Sequence, residues 1–221
     1  MLTLHGFPFS NYHNIVKHTL MHKGIDFEEH IAYPGSPELL AVNPAGKVPA
    51  MTTEKGTVLS ESSVLVEYLE DAYPEPALLP ADPEARGELR RLIKIAELYF
   101  ELSARRLLPA VFGAAELPAE TLAEARAGLE RGVAAYTTLA SFAPYVAGAE
   151  LTLADIYLRY ALAIPQLVGP SQLDWDVLAA VPGMAEWYAM MSDSDIARKI
   201  DADQQANSAE FMAYLGLEES A

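Results

Sequence analysis

The spacing of apolar positions changes along the chain, and each change marks an element. Leu2 to His5 reads as a strand, Phe7-Pro8-Phe9 breaks it, and from about Asn11 to Lys23 the residues Tyr12, Ile15, Val16 and Leu20 fall on one helical face. Gly24 supplies a stop for that helix. Asp26 to Ala32 is a second strand, and the turn cluster Pro34-Gly35-Ser36-Pro37 precedes a short helix over Glu38 to Val42. Pro49 to Thr52 and Thr57 to Leu59 flank Glu54-Lys55-Gly56 as a hairpin. A helix follows with Val64, Leu65, Tyr68 and Leu69 at helical spacing. The opening is thus β-α-β followed by β-β-α.

Prolines cluster between Ala72 and Pro83, and beyond them the pattern is helical throughout. Leu89, Leu92, Ile93, Ala96, Tyr99 and Phe100 place a helix from Glu84 to about Phe112, and Leu122, Ala125, Leu129, Val133 and Tyr136 place another from Glu120 to about Phe142. Two long helices with a short connection pack antiparallel. Thr152 and Asp155 have the spacing of a capping box, with Leu151 and Ile156 as its hydrophobic staple. The expected architecture is an α/β domain over residues 1–76, a linker over 77–83 and an all-α helical bundle over 84–221.

Composition narrows the function more than the fold. A chain of 221 residues with 51% hydrophobic and 21% charged residues reads as globular, and it is long enough for one or two domains. A formal net charge of −16, with 15 scattered Lys and Arg, argues against nucleic acid. There is no cysteine, so any thiol chemistry must use sulfur from a ligand. The opening residues lack the charged and apolar regions of a secretory signal, and Asp155, Arg159 and Pro165 interrupt the most apolar stretch, Leu151 to Val168. A cytoplasmic protein without membrane contact is expected. All five histidines lie in the first thirty residues. His18 and His22 have the i, i+4 spacing of a metal pair but no third ligand, so they read as exposed helix histidines and no metal is expected.

The most informative pairing is the Val48-Pro49 step with Glu61-Ser62. A Val-Pro step at the mouth of a strand can offer an unpaired backbone edge, and a Glu-Ser step entering a helix offers hydroxyl and N–H donors. Together they suit a short, charged peptide.

The order and spacing of NPAGKVPAM, LSESSVLVEYLE and LTLADIYL, across nearly the whole chain, resemble the cytosolic glutathione S-transferases. The resemblance implies a thioredoxin-like first domain that binds glutathione and a helical domain that supplies a second-substrate pocket. It implies that Pro49 is cis, that Val48 pairs with the backbone of glutathione, that Glu61 and Ser62 hold its γ-glutamyl end, and that Lys47 faces its glycyl carboxylate. Where many members carry further basic residues this chain has Tyr33-Pro34-Gly35-Ser36.

In serine-type members the thiol is activated by a Ser in the turn after the first strand, a place Ser10 takes here, with Asn11 and Tyr12 as rival donors. Read from the residues alone, Ser10-Asn11 is an ordinary helix N-cap. The likeness places an apolar electrophile among Phe7, Phe9, Tyr99, Phe100 and Arg106 and implies a homodimer with a detoxification role. The expected activity is transfer to glutathione, with disulfide or peroxide reduction as side reactions; the alternative is a non-catalytic glutathione-binding or scaffold protein on the same fold.

Overall fold

In the computed structural model, which describes residues 1–113 and 116–217, four short strands make one mixed sheet. β1 (Leu2–Gly6) runs parallel to β2 (Phe27–Ile31) and antiparallel to β3 (Ala50–Thr52), which pairs antiparallel with β4 (Val58–Ser60), giving the order β2-β1-β3-β4. A parallel pair needs a crossover, and α1 (Asn11–His22) provides it. Leu2 and Leu4 of the central strand are fully buried, as are Ile15, Val16 and Leu20 of α1 and Leu65, Val66 and Leu69 of α3 (Ser62–Ala72). The thioredoxin-like β-α-β, β-β-α unit is therefore present, with the short α2 (Pro37–Val42) capped by Ser36.

Two expectations for this unit are corrected. The buried stripe of α3 runs through Leu65, Val66 and Leu69, so Val64 stands 47% exposed. His18, read as an exposed helix histidine, is buried, because α1 packs against α3 on one side and a later helix on another and has little free surface.

That later helix shifts the domain partition. The first compact unit is Met1–Ala77 together with the described residues from Ser194 onward, whereas the sequence pattern grouped everything after residue 84. α11 (Asp195–Ala206) packs on α1, where the buried Lys17 ammonium donates to both Glu29 and Asp203 at 2.8 Å. At the other end of α1, the buried Lys23 donates to the carbonyls of Tyr73 and Pro76 and pairs with Glu70 at 2.6 Å, tying down the chain that leaves α3.

The second unit, Leu78–Asp193, is helical. Its first helix is shorter than the apolar period predicts. α4 (Pro83–Ile95) is capped by Asp82, widens into a π-helical turn over Ala96–Glu101, and continues only as the short α5 (Leu102–Arg105). A further short helix, α6 (Leu108–Val111), contains Pro109, whose ring and missing N–H prevent an uninterrupted helix to Phe112. α7 (Ala119–Leu139) follows as expected, and every residue of α8 (Leu153–Ala161) is buried.

The Asp155 carboxylate accepts bonds from Val146 N–H, Thr152 N–H, the Thr152 hydroxyl and the Trp187 indole, all at 2.8–2.9 Å. Burial pushes its pKa up, and these four donors oppose the shift. The capping box thus serves the tertiary core as well as the helix end. Among the described residues, no helix is long and apolar enough to cross a membrane.

Candidate active site

Sheet register brings distant segments to one end of the first unit. Gly6, the last residue of β1, pairs with Ile31, the last of β2, while His5 pairs with Ala50, the first of β3, and Ala50 pairs with Ser60, the last of β4. The turn Phe7–Ser10, the turn after Ile31, the Val48-Pro49 step and Glu61-Ser62 must therefore converge on the same edge. Both α1 and α3 begin there. A helix start carries about half a positive charge and unpaired N–H groups, so this edge suits anions and electron-rich atoms.

Ser10 is the N-cap of α1. Its Oγ accepts from His13 N–H at 3.3 Å, which leaves the hydroxyl proton free to donate. The turn is pinned by Ser10 N–H bonding to Phe7 C=O at 3.0 Å and by the buried Asn14 amide donating to Pro8 C=O at 2.8 Å. Asn11 is buried, its side-chain N–H groups without a partner among the described residues, and Tyr12 is half-buried. The structure thus brings the three candidate donors into one helical turn. His13 is also buried, and a Cβ at Gly6 would stand 2.3 Å from its Nδ1, so this close approach requires glycine.

The Val48-Pro49 peptide is cis. Neither Val48 N–H nor Val48 C=O has a hydrogen-bond partner among the described residues, so this backbone segment presents the open edge that the Val-Pro step suggested. The loop before it is built for that purpose. Buried Asn43 donates to Lys47 C=O at 2.7 Å and accepts from Ala45 N–H at 3.2 Å, and Gly46 turns the chain at φ 63°. Lys47 itself is exposed.

Glu61 sits at φ 70°, ψ 118°, a conformation that costs a non-glycine residue roughly 1–3 kcal/mol, and Ser62 follows it, buried in the first turn of α3. Strain concentrated beside an open backbone edge is a mark of a binding site.

The aromatic candidates divide between the two units. Phe7 and Phe9 stack on Phe211 of α12 (Ser208–Tyr214), with ring centroids 5.6 and 4.3 Å away, and Tyr33 stacks on Tyr214 at 4.5 Å. Phe211 and Tyr214 were missed from the sequence, where their i, i+3 spacing was the single clue. In the second unit Phe100 is fully buried against Tyr136, Tyr99 is half-buried, and exposed Arg106 pairs with Glu124. A surface hollow lined by Met1, Lys23, Asp26 and Glu54 lies at the opposite end of the sheet and contains none of the candidate residues. Among the described residues no group of three or more His, Asp or Glu could hold a metal.

Residues 4–77 match the family model for the glutathione S-transferase N-terminal domain. A glutathione S-transferase of Pseudomonas putida is 41% identical over 216 residues, covering 97% of this chain and 98% of that protein. This chain belongs to the glutathione S-transferase family. It is an enzyme of the glutathione-transferase type. A maleylpyruvate isomerase from a Ralstonia species is 31% identical over 94% of this chain and all of its own length. The holo structure of a maleyl pyruvate isomerase, described as a bacterial glutathione S-transferase of the Zeta class, superposes with a TM-score of 0.70 at 29% identity, covering 90% of this chain and 95% of that one.

Proposed function

We propose that this chain binds glutathione along Val48 and activates its thiol for attack on an electrophilic small molecule. The open backbone edge at Val48, placed between the starts of two helices, is the observation that carries the reading. An extended tripeptide adds to such an edge as a short strand. Its γ-glutamyl carboxylate goes to the Ser62 hydroxyl and the α3 N-terminus, its ammonium to Glu61, and its glycyl carboxylate to Lys47. Lys47 is exposed, and ion pairs of that kind contribute only about 0–1 kcal/mol, so it orients more than it binds.

The sulfur lies toward Ser10, making this a serine-type member. A free thiol with pKa near 8.5 is mostly protonated at neutral pH, and each unit of depression needs about 1.4 kcal/mol of anion stabilisation. A hydroxyl donor together with the start of α1 supplies one to two units, roughly 1.5–3 kcal/mol. The bound thiolate attacks an apolar electrophile that Phe7 and Phe9 help to admit, and the protein works in the cytoplasm as a homodimer. Phe100 is left out of that role because it is core.

A second reaction is favoured by the two isomerase relatives, both matched over nearly the whole chain. Addition of the thiolate to a cis enoate, rotation about the resulting single bond and expulsion of the sulfur returns the trans isomer and regenerates glutathione.

Calorimetry with glutathione tests the binding, and turnover of a chromogenic aryl halide and of maleylpyruvate tests the chemistry. Retained binding with at least a tenfold loss of turnover in Ser10→Ala is expected. No heat and no competition at millimolar glutathione would end the proposal.

A further inference from the structure

The sheet face opposite Leu2 and Leu4 carries a feature that the glutathione site does not use. His5 and His30 are direct partners in the parallel pairing of β1 with β2, so their side chains emerge on the same face. Their Nδ1 atoms are 3.2 Å apart, with the rings at 70° to one another. Two imidazoles held this way have two possible occupants between them: one shared proton, or one cation that takes both lone pairs.

The spacing fits the second occupant as well as the first. With metal–nitrogen bonds of about 2.0–2.1 Å, two ligands on one ion stand roughly 3.3–3.4 Å apart at a tetrahedral angle and about 2.8–3.0 Å apart at a right angle. The observed 3.2 Å falls between these values, so an ion enters with small ring rotations.

A second observation concerns orientation. His5 Nε2 is 2.9 Å from Thr52 Oγ1, and donation of Nε2–H to that hydroxyl leaves the Nδ1 lone pair directed at His30. A hydrogen bond on the far nitrogen is how metal-binding histidines are commonly held. His5 is buried and therefore stiff, while His30 is exposed and gives access to solvent. Burial, and then the neighbouring His30, lower the pKa of His5. Glu28 lies two residues before His30 on the same face, and the net charge of −16 draws cations to the surface.

We infer that His5 and His30 form a two-imidazole site for a divalent transition-metal ion of the copper, nickel or zinc class, its remaining positions filled by water. With two protein ligands the site is reversible, and affinity follows the order in which Cu²⁺ exceeds Zn²⁺. Binding needs the lone pairs of both imidazoles, so it weakens in acid. The inference is independent of the glutathione reading, since neither histidine belongs to that site.

The test uses the untagged full-length protein, stripped of metal by chelation and free of glutathione, which would itself compete for the ion. Titration with Cu²⁺ and with Zn²⁺ is followed by calorimetry, and the Cu²⁺ form by electron paramagnetic resonance. One saturable ion per chain is expected, tighter for Cu²⁺, with a nitrogen hyperfine pattern. His30→Gln, at an exposed position, should weaken binding at least tenfold and remove the rise in Tm that Zn²⁺ gives the parent, while His22→Gln leaves both unchanged. His30→Gln binding as tightly as the parent, or a parent with no saturable site, overturns the inference.

Discussion

Replacing Lys17 by Met tests whether one buried ammonium holds the C-terminal segment on the first unit. Lys17 is 4% exposed, and its Nζ lies 2.6 Å from one Glu29 oxygen and 2.8 Å from an Asp203 oxygen. Breaking a fully buried pair costs about 3–5 kcal/mol and breaking an exposed one about 0–1. Here about a quarter of each carboxylate is still exposed, at 28% and 26%, and the substitution removes the charge that burial penalises most. The expected loss is therefore about 2–3 kcal/mol. For a chain of this size that corresponds to a fall in Tm of roughly 4–12 °C.

The same cluster fixes the pH dependence. Burial raises the pKa of Glu29, but the approach of His13 Nε2 at 3.5 Å and the bonds from Lys17 outweigh it and hold the group below its ordinary 4.5. Burial likewise opposes, and bonds from Lys17 and Lys199 outweigh it, at Asp203, held below 3.8. A carboxyl depressed in the folded state stabilises fully above its unfolded pKa and loses that contribution as pH falls through the folded value. The stability gap between the parent and Lys17→Met is thus complete at pH 7 and begins to close below about pH 4.5. Urea unfolding at pH 7 and at pH 3.5, together with limited proteolysis of the segment after Ser194, measures it. A gap under about 0.5 kcal/mol at pH 7, or one that does not narrow in acid, refutes the reasoning.

Asp155→Ala strands the buried N–H donors of Val146 and Trp187 and the part-buried one of Thr152, and should cost about 3–5 kcal/mol in urea unfolding. Gly6→Ala drives a methyl into the buried His13 ring and should cost about 1–3 kcal/mol, read as a lower Tm with a disturbed Ser10 turn in amide exchange. Burial lowers the pKa of His13, partly offset by Glu29, so the folded ring takes up its proton below pH 6.5 while the unfolded one does so at 6.5. Stability should therefore decline as pH falls from 6.5, before the carboxylates titrate, and the His13 ring resonances should show no transition near 6.5.

Local signals made the first unit legible. The strand from Leu2, the helix from Asn11 and the hairpin at Gly56 each depend on residues a few positions apart, and the observed elements agree within two residues at each end. The open edge at Val48 was legible for the same reason, since Asn43, Gly46 and Pro49 lie within seven positions of one another. Long-range contacts left no such trace. Lys17 and Asp203 are 186 residues apart, and nothing near Asp203 distinguishes it from other acidic residues on helix surfaces. Phe211 and Tyr214 read as two aromatics on a terminal helix until their stacking on Phe9 and Tyr33 is seen. The His5–His30 pair was hidden too, because strand register sets it and no local spacing records it.

If the thiol of glutathione lies at Ser10, as proposed, capping and sulfur activation need not compete for one side chain. Its oxygen accepts from His13 N–H, and the proton on that same oxygen remains available to a bound thiolate. Ser10→Ala removes both functions, so a loss of turnover could arise from a frayed helix start. Ser10→Asp separates them: aspartate is as good an N-cap as serine and suits the helix start electrostatically, but an ionised carboxylate cannot donate and would repel the thiolate. Its unfolding free energy should stay within about 0.5 kcal/mol of the parent, where Ser10→Ala loses about 1 kcal/mol. Turnover of the aryl halide should nevertheless fall at least as far in Ser10→Asp as in Ser10→Ala, and the pKa read from thiolate absorbance at saturating glutathione should rise. Undiminished turnover in Ser10→Asp would move the donor role to Asn11, whose amide is already buried beside it with no partner for its N–H groups among the described residues.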